Sequence, residues 1–147
     1  MTDADIDFAW LACHAGDAIV VADPAGAIIF WNLAAERIFG YREAEALGAS
    51  LDLIIPARLQ PRHWAGYRAV MQSGRTRYGA DLLRVPAMHK DGRTLSIAFT
   101  VCLLPAADGK PGAIAALIRD ESLRWQEERE LRRRLAELEA KSGAQSA

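Results

Sequence analysis

His63 is the side chain whose surroundings read most readily as chemistry. It lies in the run Pro61-Arg62-His63-Trp64-Ala65-Gly66-Tyr67-Arg68-Ala69-Val70-Met71, where helical spacing puts His63, Gly66 and Val70 on one stripe. A neutral imidazole on a pocket-facing stripe is positioned to hold a metal. Gly66, one turn away, removes a side chain where a flat ligand would approach the backbone. The competing reading, a hydrogen-bonded core histidine or a half-exposed helix residue, is the one that the pattern alone favours. The other candidates are weaker. Met71 and Met88 offer thioethers but suit core gaps better. His89, beside Lys90 at a hairpin end, reads as solvated. Cys102 alternates with Phe99 and Val101, which puts it on the opposite sheet face, while Cys13 and His14 belong to an N-terminal helix, so both cysteines read as structural. No spacing forms a metal cluster, and none of GxSxG, P-loop, GxGxxG, HExxH or a flavin-reactive Asn-Cys-Arg occurs, so the chain does not read as an enzyme.

The whole chain must position that histidine within one compact core, since 147 residues with 51% hydrophobic and 25% charged side chains describe one globular domain. Eighteen basic and 19 acidic residues give a formal charge of −1, so no net field draws the chain to nucleic acid or an anionic membrane. Two cysteines are too few for a disulfide framework, which fits a reducing cytoplasm. The N-terminus is acidic and no apolar run nears the roughly 18 residues a membrane helix needs, so the chain is expected to be soluble.

Turn residues divide the chain into short elements. Helical spacing of Ile6, Trp10 and Cys13 predicts a helix over 6–14, ended by Gly16. Two apolar runs, 18–23 and 27–31, flank Pro24-Ala25-Gly26 and read as a β-hairpin. Asn32 is placed to cap a helix over 33–39, with Gly40 at its left-handed end. Short helical turns follow around 43–47 and 51–54. Pro61 and Gly74 bracket a longer helix over 61–73. Three strands then run 81–89, 93–104 and 113–119 around Lys90-Asp91-Gly92 and Asp108-Gly109. Alternation directs Leu95, Ile97, Phe99, Val101 and Leu103 inward. Residues 121–141 hold six acidic and six basic side chains with Leu131, Leu135 and Leu138 at helical spacing, which predicts an exposed or dimerising helix with barely two heptads. Residues 142–147 are expected to fray.

This order is that of an α+β domain with its helices on one face of a sheet. It resembles the PAS sensor family in particular residues: 17–23 as Asp-Ala-Ile-Val-Val-Ala-Asp, Gly26 with Ile29 to Asn32, Ala35-Glu36-Arg37-Ile38-Phe39-Gly40-Tyr41, Lys90-Asp91-Gly92, and the exit from Asp120 into a charged helix. Each piece is weak alone; their order and spacing carry the resemblance. It implies a five-stranded antiparallel sheet of order 2-1-5-4-3, an N-terminal cap over 1–16, a sensor domain over 17–120, a signalling and dimerisation helix over 121–141, and a flexible tail over 142–147.

The segment from His63 to Asp91-Gly92 further resembles haem-binding PAS sensors, among them the rhizobial oxygen-sensing kinase and the carbon-monoxide-responsive regulators. Thr76-Arg77-Tyr78-Gly79 and Leu82-Leu83-Arg84-Val85-Pro86 are similar to the latter group. The resemblance implies haem b with iron held by His63, surrounded by Gly66, Tyr67, Val70, Tyr78, Leu83, Val85, Phe99 and Val101. It implies a diatomic gas (carbon monoxide, nitric oxide or oxygen) or a redox state as the signal, a homodimer, and a downstream output domain or protein. The distal residues depart from both groups: Leu83 stands where the oxygen sensor has an arginine, and the count for the distal methionine of the carbon-monoxide group falls near Arg93. That leaves Tyr78 as the one possible distal donor. The alternatives are a cofactor-free interaction module filled by Trp31, Trp64 and Tyr67, and a flavin or other small-ligand sensor resting only on Trp31 and Asn32.

Overall fold

A computed structural model describes residues 5–76 and 80–145 of the chain. The first helix, α1 (Phe8–His14), is capped by Asp7 and leads into β1 (Ala18–Ala22) and β2 (Ile28–Trp31). Strand alternation alone cannot bury both Ile28 and Trp31, which are three residues apart. A bulge does it: Val21 pairs with Phe30 and Ala22 with Ile28, leaving Ile29 unpaired and exposed. Asn32 caps α2 (Leu33–Phe39), which ends on Gly40 at φ 82°. Then come α3 (Glu43–Ala46), two 3-10 turns (Leu51–Ile54 and Ala57–Leu59), and α4 (Gln60–Ser73). Strands β3 (Leu83–Met88), β4 (Thr94–Pro105) and β5 (Pro111–Asp120) complete the sheet, and α5 (Ser122–Gln145) leaves it.

The sheet is antiparallel with order β2-β1-β5-β4-β3, as the sequence predicts. Pro86 lies in β3, an edge strand, where a missing N–H costs no ladder bond on the open side. Register places Ala18, Val20 and Ala22 of β1, Ile114, Ala116 and Ile118 of β5, Leu95 through Leu103 at odd positions of β4, and Leu83, Val85 and Ala87 of β3 on one face. The core forms at one end of that face, where Ala18, Val20, Ala87, Leu95, Ile97 and Ile118 meet Trp31, Ala34, Ala35, Phe39 and Ile54. Burying these apolar side chains supplies the bulk of the stability, at about 25 cal/mol per Å².

Buried Asn32 explains how the two ends of this core are joined. Its Oδ1 accepts from Ile19 N (2.9 Å) and Ala35 N (3.0 Å), and its Nδ2 donates to Ala12 O and Asp17 O (2.9 and 3.0 Å). One side chain thereby caps α2, pins β1 and ties in the end of α1.

Two sequence expectations differ from the structure. His89 is not solvated: its side chain is 14% exposed and its ring lies where a Cβ on Gly40 would fall, with Nδ1 3.1 Å from Asp91 Oδ1. The cause is the β3–β4 turn, which folds back on the end of α2, with Lys90 N donating to Phe39 O. Helix α5 runs to Gln145, four residues past the predicted helix end at 141, and its exposed Arg–Glu pairs, such as Arg133 with Glu130 and Glu137, lie in its middle.

Candidate functional site

Proline near the start and Gly74 at φ 69° at the C′ position delimit α4. The helix is fastened on its buried side by two aromatic rings. Tyr67 is buried and its hydroxyl donates to Asp23 O; burial first, and Asp23 second, push the hydroxyl up to about 12. Trp64 seats its six-membered ring on Gly26 so closely that a Cβ there would overlap it, and its Nε1 donates to Asp52 Oδ1 at 2.6 Å. Further along, Gly74 comes up to Pro111 at the start of β5. So α4 is tied to the β1–β2 turn and the 51–54 turn, and crosses the sheet end where β1 stops and β5 begins.

His63 lies among these fastenings. Its ring meets Trp64 edge-on (centroids 4.8 Å, 80°) and is 5.8 Å from the Tyr67 ring. Nδ1 is buried and, among the described residues, is the one such side-chain N or O atom without a hydrogen-bond partner. Burial lowers the imidazole's affinity for a proton, against the opposing pull of Asp52. The ring is therefore held neutral, the form in which an imidazole ligates a metal.

The sheet contributes the other predicted residues. Leu83 pairs with Phe99, Val85 with Ile97, and Val101 with Ala116, all on the inner face. Away from the core this face is incompletely covered: Leu83, Phe99, Val101 and Leu103 are half-buried and Val85 is 37% exposed. Val70 is half-buried and Gly66 exposed, with open space where its Cβ would be. Tyr78 lies outside the described residues. Two clefts lie among the described residues. One, of about 440 Å³, is lined by Pro24, Ala25, Ser50, Trp64, Tyr67 and Arg68. The other, of about 380 Å³, lies between Arg37, Asp17 and Arg119. Tyr67 is the one predicted site residue that lines either.

Among the described residues no three His, Cys, Asp or Glu side chains converge to hold a metal ion. A single neutral imidazole with an orphaned nitrogen suffices only where the metal brings its own equatorial ligands, as in haem. The donor chemistry of that one nitrogen fits such a group, while neither cleft joins His63 to the partly uncovered apolar sheet face. Asp52, Asp23 and Gly26 were not among the site residues predicted from sequence, although Asp23 and Gly26 belong to the motifs that carry the resemblance. The approach of Asp52 to Trp64 is a tertiary contact with no periodic signature.

The sequence profile of the PAS fold matches residues 13–124. The chain belongs to the PAS family. This PAS domain is 36% identical over 118 residues to an uncharacterised protein of Azorhizobium caulinodans, covering 80% of this chain and 16% of that one. It is 30% identical over 105 residues to the oxygen sensor protein DosP of Escherichia coli, covering 71% and 13%. To the sensor protein FixL of Bradyrhizobium diazoefficiens it is 40% identical over 47 residues, 32% of this chain and 9% of that protein. The PAS domain thus spans only a small part of each relative's length. Among solved structures it superposes on the PAS domain of a Colwellia psychrerythraea protein with TM-score 0.68 and 22% identity, over 78% and 94% of the two chains, a likeness of fold.

Proposed function

We propose that this PAS domain is a cytoplasmic haem-binding sensor that reports a diatomic gas (carbon monoxide, nitric oxide or oxygen) or a redox state, and that it is not a catalyst. The observation that carries the reading is His63: half-buried, held neutral, and with an unpartnered buried nitrogen. Similarity to an oxygen sensor over most of this chain supports it.

In this reading His63 holds the iron of haem b. Gly66, Tyr67 and Val70 on α4, Leu83, Val85, Phe99 and Val101 on the sheet, and Tyr78 surround the group. Bound there, haem supplies an iron atom that takes up a small gas. The chain's residues do the rest. Burial keeps protons off His63 so that its nitrogen stays available. Leu83, Phe99 and Val101 offer apolar contact and no hydrogen-bond donor, so a polar bound gas gains little from them and an apolar one loses little, and Tyr78 is the one residue of the set with a donor to offer. Phe99 and Val101 belong to β4, whose Ser96 carbonyl accepts from Glu121 N and whose Ser96 N–H donates to Ser122 Oγ. A change at the sheet face thereby has a bonded route to α5, through which two copies of the domain would address an output domain or protein.

The test is an absorption titration of the purified protein with hemin, followed by dithionite and carbon monoxide. A saturable Soret band that shifts with carbon monoxide and is lost in His63→Ala is the expected result. Absent saturable uptake, or an unchanged spectrum in His63→Ala, overturns the assignment.

A further inference from the structure

Residues 53–80 hold five arginines and no aspartate or glutamate, in a chain whose formal charge is −1. The opposite bias marks residues 1–36, with six acidic side chains and no lysine or arginine. The fold gathers four of those five arginines around one helix. Arg62 and Arg68 lie on α4, Arg58 in the 3-10 turn before it and Arg75 just past Gly74 at its end, while Arg77 lies outside the described residues. All four are exposed, and among the described residues none makes an ion pair or a side-chain hydrogen bond. Arginines elsewhere find carboxylates: Arg93 sits on Asp91, Arg119 on Asp17, and Arg124, Arg133 and Arg134 on glutamates of α5. The α4 surface is thus a block of uncompensated positive charge about 20 Å long on a chain that is otherwise slightly acidic.

A cleft adjoins this block. Arg68 lines the opening of about 440 Å³ together with the rings of Trp64 and Tyr67. The polar end of each ring is already engaged, Trp64 Nε1 by Asp52 and the Tyr67 hydroxyl by the Asp23 carbonyl, so the rings have carbon to offer and Arg68 supplies the charge. Guanidinium groups pair well with carboxylates, and an aromatic-walled cleft takes an apolar anchor. A phosphodiester strand fits less well. It carries a negative charge at every step and would bring some of them against Asp23 and Asp52 behind the cleft, whereas a peptide can place its carboxylates on the arginines and leave the step over the cleft uncharged.

We infer that the outer side of α4, from Arg58 to Arg75 with the Trp64–Tyr67 cleft, is a docking surface for an acidic segment of a partner protein that carries an apolar side chain among its carboxylates. The surface goes beyond the proposed function and does not depend on haem, although it lies on the helix that carries His63.

The experiment is a titration of the full, isotope-labelled chain, followed by amide and indole NMR shifts, with three probes: a blocked peptide of glutamates around one phenylalanine, its counterpart with glutamines for glutamates, and oligothymidylate. The glutamate peptide is expected to move the α4 amides and the Trp64 indole N–H saturably, and the glutamine peptide to bind more than tenfold more weakly. Arg62→Gln/Arg68→Gln should weaken the glutamate peptide about fivefold, the loss of two exposed ion pairs, while Arg133→Gln/Arg134→Gln on α5 should leave its affinity unchanged. Circular dichroism confirms that both variants keep the fold. No saturable binding of the glutamate peptide, equal binding of the two peptides, an unchanged Arg62→Gln/Arg68→Gln, or shifts confined to α5 each overturn the surface. Tighter binding of oligothymidylate than of the glutamate peptide overturns the choice of a peptide partner in favour of a nucleic acid.

Discussion

Trp64 Nε1 donates a 2.6 Å hydrogen bond to Asp52 Oδ1, so the carboxylate that opposes the desolvation of His63 is itself held by the residue next to His63. Asp52→Asn keeps an oxygen for the indole and removes the charge. In the haem-free protein the His63 titration midpoint, read from its ring carbon shifts by NMR, should move further down. An unmoved midpoint would mean that Asp52 does not sense the ring.

The same histidine sets a direction for stability against pH. Burial holds folded His63 below its ordinary value of 6.5. Between the two values the unfolded chain binds the extra proton and the folded chain does not, so stability falls as pH drops through 6.5 and levels off below the folded value. Above 6.5 His63 contributes no pH dependence. Urea midpoints of haem-free wild type and His63→Phe, compared from pH 8 to pH 5, should show the wild type losing more; parallel curves would dismiss the desolvated imidazole.

Gly26 answers two demands together. Its φ of 88° lies where other residues are strained, and a Cβ there would overlap the Trp64 ring. Gly26→Ala is expected to cost about 2 to 4 kcal/mol, the strain and the overlap adding. Introducing Gly26→Ala into a Trp64→Leu background relieves the overlap and should leave only the conformational part, about 1 kcal/mol. Equal costs in both backgrounds would show that the ring yields without loss.

Truncating Asn32 removes a joint rather than a cap alone. Asn32→Ala abandons two backbone N–H groups, of Ile19 and Ala35, and two carbonyls, of Ala12 and Asp17. A loss of about 2 to 4 kcal/mol in chemical denaturation follows from several unmet partners. Less than about 1 kcal/mol would mean that water replaces the side chain.

What the sequence could show depended on whether the information was local. Asn32, Gly40 and Gly74 were legible because a cap and a left-handed terminus are fixed within a few residues. The inward set of β4 was legible because alternation has period two, and the register confirms it from Leu95 to Leu103. The bulge at Ile29, the seating of His89 against Gly40 and the Asp52–Trp64 bond join residues by tertiary approach, which leaves no periodic trace. For the site, spacing placed His63 on a helix; its neutrality and orphaned Nδ1 come from rings brought in by α4 and from the turn at 51–54. Gly66 shared the stripe by arithmetic, yet the helix turns Tyr67, its neighbour, to the buried side.

The junction between sheet and α5 rests on short-range bonds that can be cut singly. Ser96 N donates to Ser122 Oγ at 3.0 Å, Glu121 N donates to Ser96 O at 2.7 Å, and Ser122 N donates to Asp120 Oδ1 at 2.9 Å. Ser122→Ala deletes the first and leaves the other two. Global stability should fall by about 1 kcal/mol, while the exposed Arg–Glu pairs further along keep α5 helical by circular dichroism. Hydrogen exchange should quicken at the Ser96 and Glu121 amides before it does elsewhere, because the junction opens locally without unfolding the core. If those amides exchange at wild-type rates, Ser122 does not hold β4 to the helix, and the route from Phe99 and Val101 to α5 must run through the β4–β5 ladder alone.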